Sequence, residues 1–209
     1  MSIYQEYILP KKLDRSIIEE TMTFFSTRKM RNMPLIEPFR EVGVYGLYYF
    51  GDSEYYSWLI EKNKTIGIEE KYVPIYIGKA VPEGSRTARP QITNKSALFG
   101  RLKEHADSIQ DVKNLDINHF KCKFVILKNF DIDLIVPLES YLIRYYTPLW
   151  NSCVSGFGIH DPGEPRKNQK KSQWDTIHPG RPFTNKLTNN HIWPEEKIRQ
   201  KILKFTKSL

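Results

Sequence analysis

The chain is poor in cysteine, with Cys122 and Cys153 its two examples in 209 residues. Neither has a partner at metal-ligand spacing, so the sequence carries no cysteine-rich zinc site and no disulfide framework. It also has no stretch approaching about eighteen consecutive apolar residues, which excludes a membrane-spanning helix, and no membrane partner is expected. The opening MSIYQEYILPKK lacks the apolar run of a secretory signal. A reducing cytoplasm is the expected compartment. Internal repeats are missing too, so a solenoid or propeller is not expected. Hydrophobic residues at 40% and charged residues at 27% are ordinary for a folded chain. The length fits one domain with decorated ends.

Aromatic residues are plentiful, at 13%, and twelve of them are tyrosines. Basic residues outnumber acidic ones by 32 to 24, a formal charge of +8. Residues 1–150 carry 21 Lys and Arg against 19 Asp and Glu, whereas residues 151–209 carry 11 against 5. The positive field is therefore concentrated towards the C-terminal end, either as a solvated tail or as a surface for a polyanion.

Periodicity supplies the elements. Residues 13–26 place Ile17, Ile18, Met22 and Phe25 at helical spacing behind Asp14 or Ser16 as a cap. A proline-bearing connector leads to a strand, GVYGLYYF at 43–50, that stops at GDS. Residues 52–72 look like an insertion with a helical turn or two around YYSWL, followed by a second strand, VPIYIGKA at 73–80. The stretch 80–95, broken by Pro82, Gly84 and Pro90, predicts a basic loop with Arg86, Arg89 and Lys95. Residues 96–109 predict a helix capped by Ser96 with Leu98, Leu102, Ala106 and Ile109 as its buried stripe. A third strand is expected at 120–128, with Phe120, Cys122, Phe124 and Ile126 on one face. Pro137 opens a helix over 137–146. A Gly-, Pro- and Lys-rich stretch then precedes an amphipathic helix at about 194–206. The order packs as an α+β fold: a small, three-stranded, largely antiparallel sheet flanked by helices. A core over 41–152 would carry an N-terminal helical extension, 1–40, and a basic extension, 153–209.

Within this frame several side chains could carry chemistry. Alternation puts Tyr45 opposite Val44, and Tyr76 opposite Ile75 and Ile77, so paired strands would bring both phenols to one side. Gly78 would let another backbone or a phosphate come close, with Lys79 beside it. Arg101 and His105 share a helix face at i,i+4, at the border of the buried stripe. Glu139 falls third in its expected helix, where the N-terminal dipole favours an ionised carboxylate. Each residue has a bland reading as packing or as a solvated surface. His160 and His178 sit in glycine–proline turns and read as structural, and Cys122 reads as core.

Together, GVY at 43–45, YIG at 76–78, Arg101 with His105, Glu139 on the next helix and Asn151 after it resemble the GIY-YIG nuclease superfamily. PIYIGKAVP, RLKEH, PLWN, GFGIHDPG and WDTIHPGR further resemble its type II restriction endonucleases that cut the palindrome CCGCGG. The first forty residues, the 52–72 insertion, the 83–97 loop and the last thirty residues are less similar. Because the loop would read bases, the resemblance implies the activity more firmly than the target.

The resemblance implies a bacterial, Mg²⁺-dependent endonuclease acting on double-stranded DNA at a short, G–C-rich palindrome. Glu139 would hold one divalent metal, and Arg101 would neutralise charge on the phosphate. Tyr45 would act as general base or first proton acceptor with His105 beside it, its phenol made more acidic by positive neighbours, Lys79 among them. Tyr76 would orient the water or a phosphate oxygen, and Asn151 would brace the site. Arg86, Arg89, Lys95, Arg166, Lys167, Lys170, Lys171 and Arg181 would hold DNA, mostly through phosphates. A palindrome implies a homodimer, and a restriction system implies a DNA methyltransferase encoded nearby. The rival readings are a repair or homing nuclease of the same superfamily and a DNA-binding module that does not cut.

Overall fold

In the computed structural model the described residues are 16–82, 97–159, 167–189 and 191–209, with the backbone alone for 129–131. The expected loop residues Arg86, Arg89 and Lys95, the cap Ser96, and Arg166 and His160 lie outside them. The described part is an α+β fold in which a four-stranded antiparallel sheet, ordered β1–β4–β2–β3, lies between two groups of helices. The strands are β1, Arg31–Asn32; β2, Val42–Tyr49; β3, Tyr76–Ala80; and β4, Phe120–Leu127. One more strand is present than expected, because Arg31 and Asn32 pair with Cys122 and Lys121 along the free side of β4. Two polar residues carry no alternation by which a strand could be recognised.

The helices are α1, Ser16–Ser26; α2, Ser57–Ile66; α3, Ala97–Gln110; α4, Ile135–Tyr146; the short α5, Leu149–Ser152, and α6, Gln173–Ile177; and α7, Glu195–Thr206. One face of the sheet packs Val44, Ile77, Val125 and Leu127 against Phe25 of α1 and Ile135, Leu138 and Leu142 of α4. The opposite face packs Tyr45, Leu47, Tyr49, Phe120 and Cys122 against Leu98, Leu102, Ala106 and Ile109 of α3. Val154, Phe157, Trp174, Ile177, Ile198 and Ile202 join that second cluster. The segment after residue 152 is thus built into the same core as the sheet.

The edge strand β3 is closed on part of its length by α5. Trp150 donates its backbone N–H to the Ile75 carbonyl at 2.9 Å. Asn151 accepts from the Ile77 N–H and donates to the Ile77 carbonyl, both at 2.8 Å. An amide side chain here stands in for the next strand, satisfying groups that an open edge leaves bare. Among the described residues no helix is long and apolar enough to cross a membrane.

Candidate active site

Antiparallel pairing sets Tyr45 opposite Gly78 and Leu47 opposite Tyr76, so the two phenols lie diagonally on one face of the sheet. A Cβ on Gly78 would come within 2.6 Å of Tyr45 Cζ. The glycine of YIG therefore makes room for the tyrosine of GVY, rather than for a backbone or a phosphate. A second glycine does the same for the other phenol: a Cβ on Gly158 would fall 2.7 Å from Tyr76 Oη.

From α3, His105 reaches the same place, and its Nε2 lies 2.7 Å from Tyr45 Oη. Tyr45 is 2% exposed and His105 1%, so His105 belongs to the buried face of its helix rather than to the border. Burial pushes the Tyr45 phenol well above its ordinary pKa, and the neighbouring Tyr76 adds to this while Arg101 works against it. Tyr76 is pushed up to about 12, by burial first and then by the charge of Glu139. At Tyr45 loss of hydration outweighs the opposing charge of Arg101. A neutral phenol can donate to His105 Nε2 in the tautomer that leaves that nitrogen bare.

The charged groups gather around the β3 edge. Lys79, on the other face of β3, forms an ion pair with Glu139 of α4. Helix α4 begins at Ile135, two residues before Pro137, because a 3₁₀ turn over Asn129–Leu134 leads into it. Pro137 is tolerated in the first turn, where N–H groups lack intrahelical partners. Glu139 is consequently fifth rather than third, and its charge is held by Lys79, not by the helix dipole. Its charge still acts on both Tyr45 and Tyr76. Arg101 is half-exposed and bonded along its own helix to Glu104 at 2.8 Å.

The family model of the Eco29kI GIY-YIG domain matches residues 37–206. The chain belongs to the Eco29kI GIY-YIG family. This is a family of restriction endonucleases, for which DNA is the substrate. Comparison with curated proteins gives no match. GIY-YIG nucleases use a divalent metal, and the donor chemistry here can be tested against one. Among the described residues no three His, Cys, Asp or Glu side chains cluster as a metal cage. A single carboxylate already facing a cation, with its side chain 15% exposed, suits a hard ion that keeps most of its waters. It does not suit a closed zinc site.

Tyr45, Tyr76 and His105 meet on one face of the sheet, Lys79 and Glu139 pair on the other, Asn151 holds the β3 edge, and Arg101 stands on α3 with Glu104. Of the residues expected to hold DNA, Lys167 and Lys170 are exposed and Lys171 is half-buried. Arg181 is a correction: it is 2% exposed, and its guanidinium is spent inside the protein. Nε and Nη2 donate to the two oxygens of Asp175 at 2.7 and 2.8 Å. Its remaining N–H groups reach the carbonyls of Gly156, Phe157 and Ile159 at 2.7 to 3.1 Å. All five donors of the fork are used, which leaves none for a phosphate. Sequence reasoning passes over Phe157, whose ring stacks on His105 with centroids 4.6 Å apart. The available signal is the GFG triplet, an aromatic between two glycines.

Proposed function

We propose that the chain is a type II restriction endonuclease that hydrolyses phosphodiester bonds of double-stranded DNA at a short, G–C-rich palindrome. CCGCGG is the first candidate target. The observation that carries this reading is the buried Tyr45–His105 pair set beside an arginine and an ion-paired carboxylate. A buried phenol is too weak an acid to serve as a standing phenolate. It can take a proton from water as its own passes to His105 Nε2. The water O–H breaks, the Tyr45 O–H is renewed, and the imidazole becomes imidazolium. Charge then rests on His105 rather than on an oxygen in an apolar pocket.

Arg101, half-exposed at the mouth, would turn from Glu104 to the phosphate, where its planar fork offsets the developing charge. Tyr76 would orient the water or a phosphate oxygen by its hydroxyl. Bound at Glu139, a Mg²⁺ ion would supply Lewis-acid neutralisation of the phosphate and the leaving oxygen. Lys79, released from that carboxylate, has an ammonium free to meet a phosphate oxygen. Asn151 holds the β3 backbone beneath these groups. Lys167, Lys170 and Lys171, with the loop residues Arg86, Arg89 and Lys95 and with Arg166, would bind DNA, chiefly through phosphates. Two strands of a palindrome require two sites, hence a homodimer, and a methyltransferase gene nearby would protect the host.

Digestion of a plasmid of known sequence with Mg²⁺ and with a chelator, followed by mapping of the ends, tests this. Defined fragments with Mg²⁺, none with chelator, and a loss of at least about 100-fold in Glu139→Ala are expected. Scattered nicks would remove the restriction reading, and undiminished cutting by Glu139→Ala would remove the metal assignment.

A further inference from the structure

The resemblance assigns the basic extension, 153–209, to DNA, yet the buried contacts of Phe157 within it face the proton-transfer pair. Phe157 is fully buried, and its ring lies at 19° to the His105 imidazole, face to face. Its edge meets Tyr76 at 5.0 Å and 77°, and Tyr76 in turn stands edge-on to His105 at 5.1 Å and 69°. The imidazole plane is therefore set from one side by Phe157 and from another by Tyr76, which aims Nε2 at Tyr45 Oη.

What holds Phe157 there is Arg181. The stretch Gly156–Ile159 forms no helix or strand, so its carbonyls need partners from elsewhere. Arg181 supplies donors to three of its four carbonyls while Asp175 fixes the fork from behind. Ser172 Oγ donates to Asp175 Oδ2 at 2.6 Å, and Trp174 and Phe183 cover the guanidinium at 4.7 and 4.8 Å. Gly156 has a φ of +118°, a conformation reserved in practice for glycine. A lysine could not replace this arginine, having three donors on one nitrogen.

We infer that Phe157, clamped by Arg181 and Asp175, is a positioning residue for the Tyr45–His105 pair, making the segment after residue 152 part of the catalytic apparatus. The inference rests on the nuclease reading in which His105 receives the proton. It differs from a merely structural role because its effect passes through one imidazole.

Four proteins decide it: the full chain, Phe157→Leu, His105→Gln and the double variant, each checked by circular dichroism. Single-turnover cleavage should slow about 10- to 100-fold in Phe157→Leu, with KM for DNA within twofold. In the His105→Gln background the same change should cost less than twofold. The ¹⁵N resonances of the His105 ring should shift in Phe157→Leu as Nε2 loses its fixed partner. Should Phe157→Leu unfold the chain, Phe157→Met fills the space without the flat face and is read in the same way. Full cleavage by His105→Gln would overturn His105 as the proton acceptor and the inference with it, whereas no cleavage by the full chain would overturn the nuclease reading. Loss in His105→Gln together with wild-type cleavage and ring resonances in Phe157→Leu would overturn the inference alone. Equal losses in both backgrounds would do the same, by showing that Phe157 acts on the fold and not through His105.

Discussion

Gly78 shows how much one residue carries. The strand alternation that places Tyr45 and Tyr76 on one face is legible in the sequence, and so is the need for a glycine after Tyr76 and Ile77. Its beneficiary is not legible, because only the register of β2 on β3 sets Gly78 opposite Tyr45. The backbone there is extended, so an alanine would meet no torsional penalty, only the Tyr45 phenol, whose Oη, Cζ and Cε2 all crowd it, Cζ at 2.6 Å. Gly78→Ala should therefore push the Tyr45 ring off its line to His105 while leaving the sheet intact. The expected outcome is a loss of cleavage on the order of 100-fold, with an unchanged circular dichroism spectrum and DNA affinity. A Gly78→Ala protein that cuts at the parent rate would show that the phenol's position is immaterial. The sign of the Tyr45 shift is likewise hidden from the sequence. Neighbouring cations can be guessed from spacing, but burial, which dominates here, is a property of packing.

At the level of elements, the long periodic segments are legible and the short ones are not. β2, β4, α3 and α7 fall within a residue or two of their expected spans, since eight to fourteen residues of clean pattern outvote local noise. The two-residue β1 and the four-residue α5 have no such pattern. α4 starts early because its first turn is fed by a 3₁₀ turn whose polar residues look like loop. With α5 missed, the sequence offers Asn151 as a brace for the site but not the place where it acts, which is the β3 edge. Its amide pairs with both backbone groups of Ile77, one residue from Tyr76 and one from Gly78. Asn151→Ala leaves an N–H and a carbonyl without that partner, at a cost of about 1–3 kcal/mol. Urea unfolding should register that loss. Cleavage should fall with it, because the strand that carries Tyr76 and Lys79 loses its outer rail. Asn151→Asp should be no better, since a carboxylate facing the Ile77 carbonyl repels where the amide donates. Parental stability in both variants would mean that α5 leans on the edge without supporting it.

Across the whole molecule, charge counting finds the basic C-terminal segment but not its interior. Arg181 counts as surface charge in the sequence and lies buried, whereas His178, read as structural, is fully buried and links three distant stretches. Trp150 Nε1 donates to Tyr56 Oη at 2.9 Å, Tyr56 bonds to His178 Nε2, and His178 Nδ1 meets Asn114 Oδ1 at 2.9 Å. Asn114 Nδ2 is committed to the Ile177 carbonyl at 2.8 Å, so its oxygen must accept and His178 Nδ1 carries the hydrogen. Nε2 is then the acceptor from Tyr56, and the chain of donors is complete only with a neutral imidazole. Burial, reinforced by the charge of Arg181, lowers the His178 pKa to about 3, against about 6.5 for an exposed imidazole. Between those values the unfolded chain binds a proton that the folded chain refuses, so stability rises with pH through this window and is fully present above it. From about pH 6.5 to about pH 5 this one group should remove about 2 kcal/mol. Urea titrations of the full chain at both pH values should show that loss beyond whatever His178→Gln shows, because glutamine can accept from Tyr56 but gains no proton. The same pH dependence in both proteins would place the acid sensitivity elsewhere. Because the network joins the 52–72 insertion, the turn after α3 and the segment beside Arg181, its protonation should loosen the clamp on Phe157 as well, and cleavage should decline along with stability.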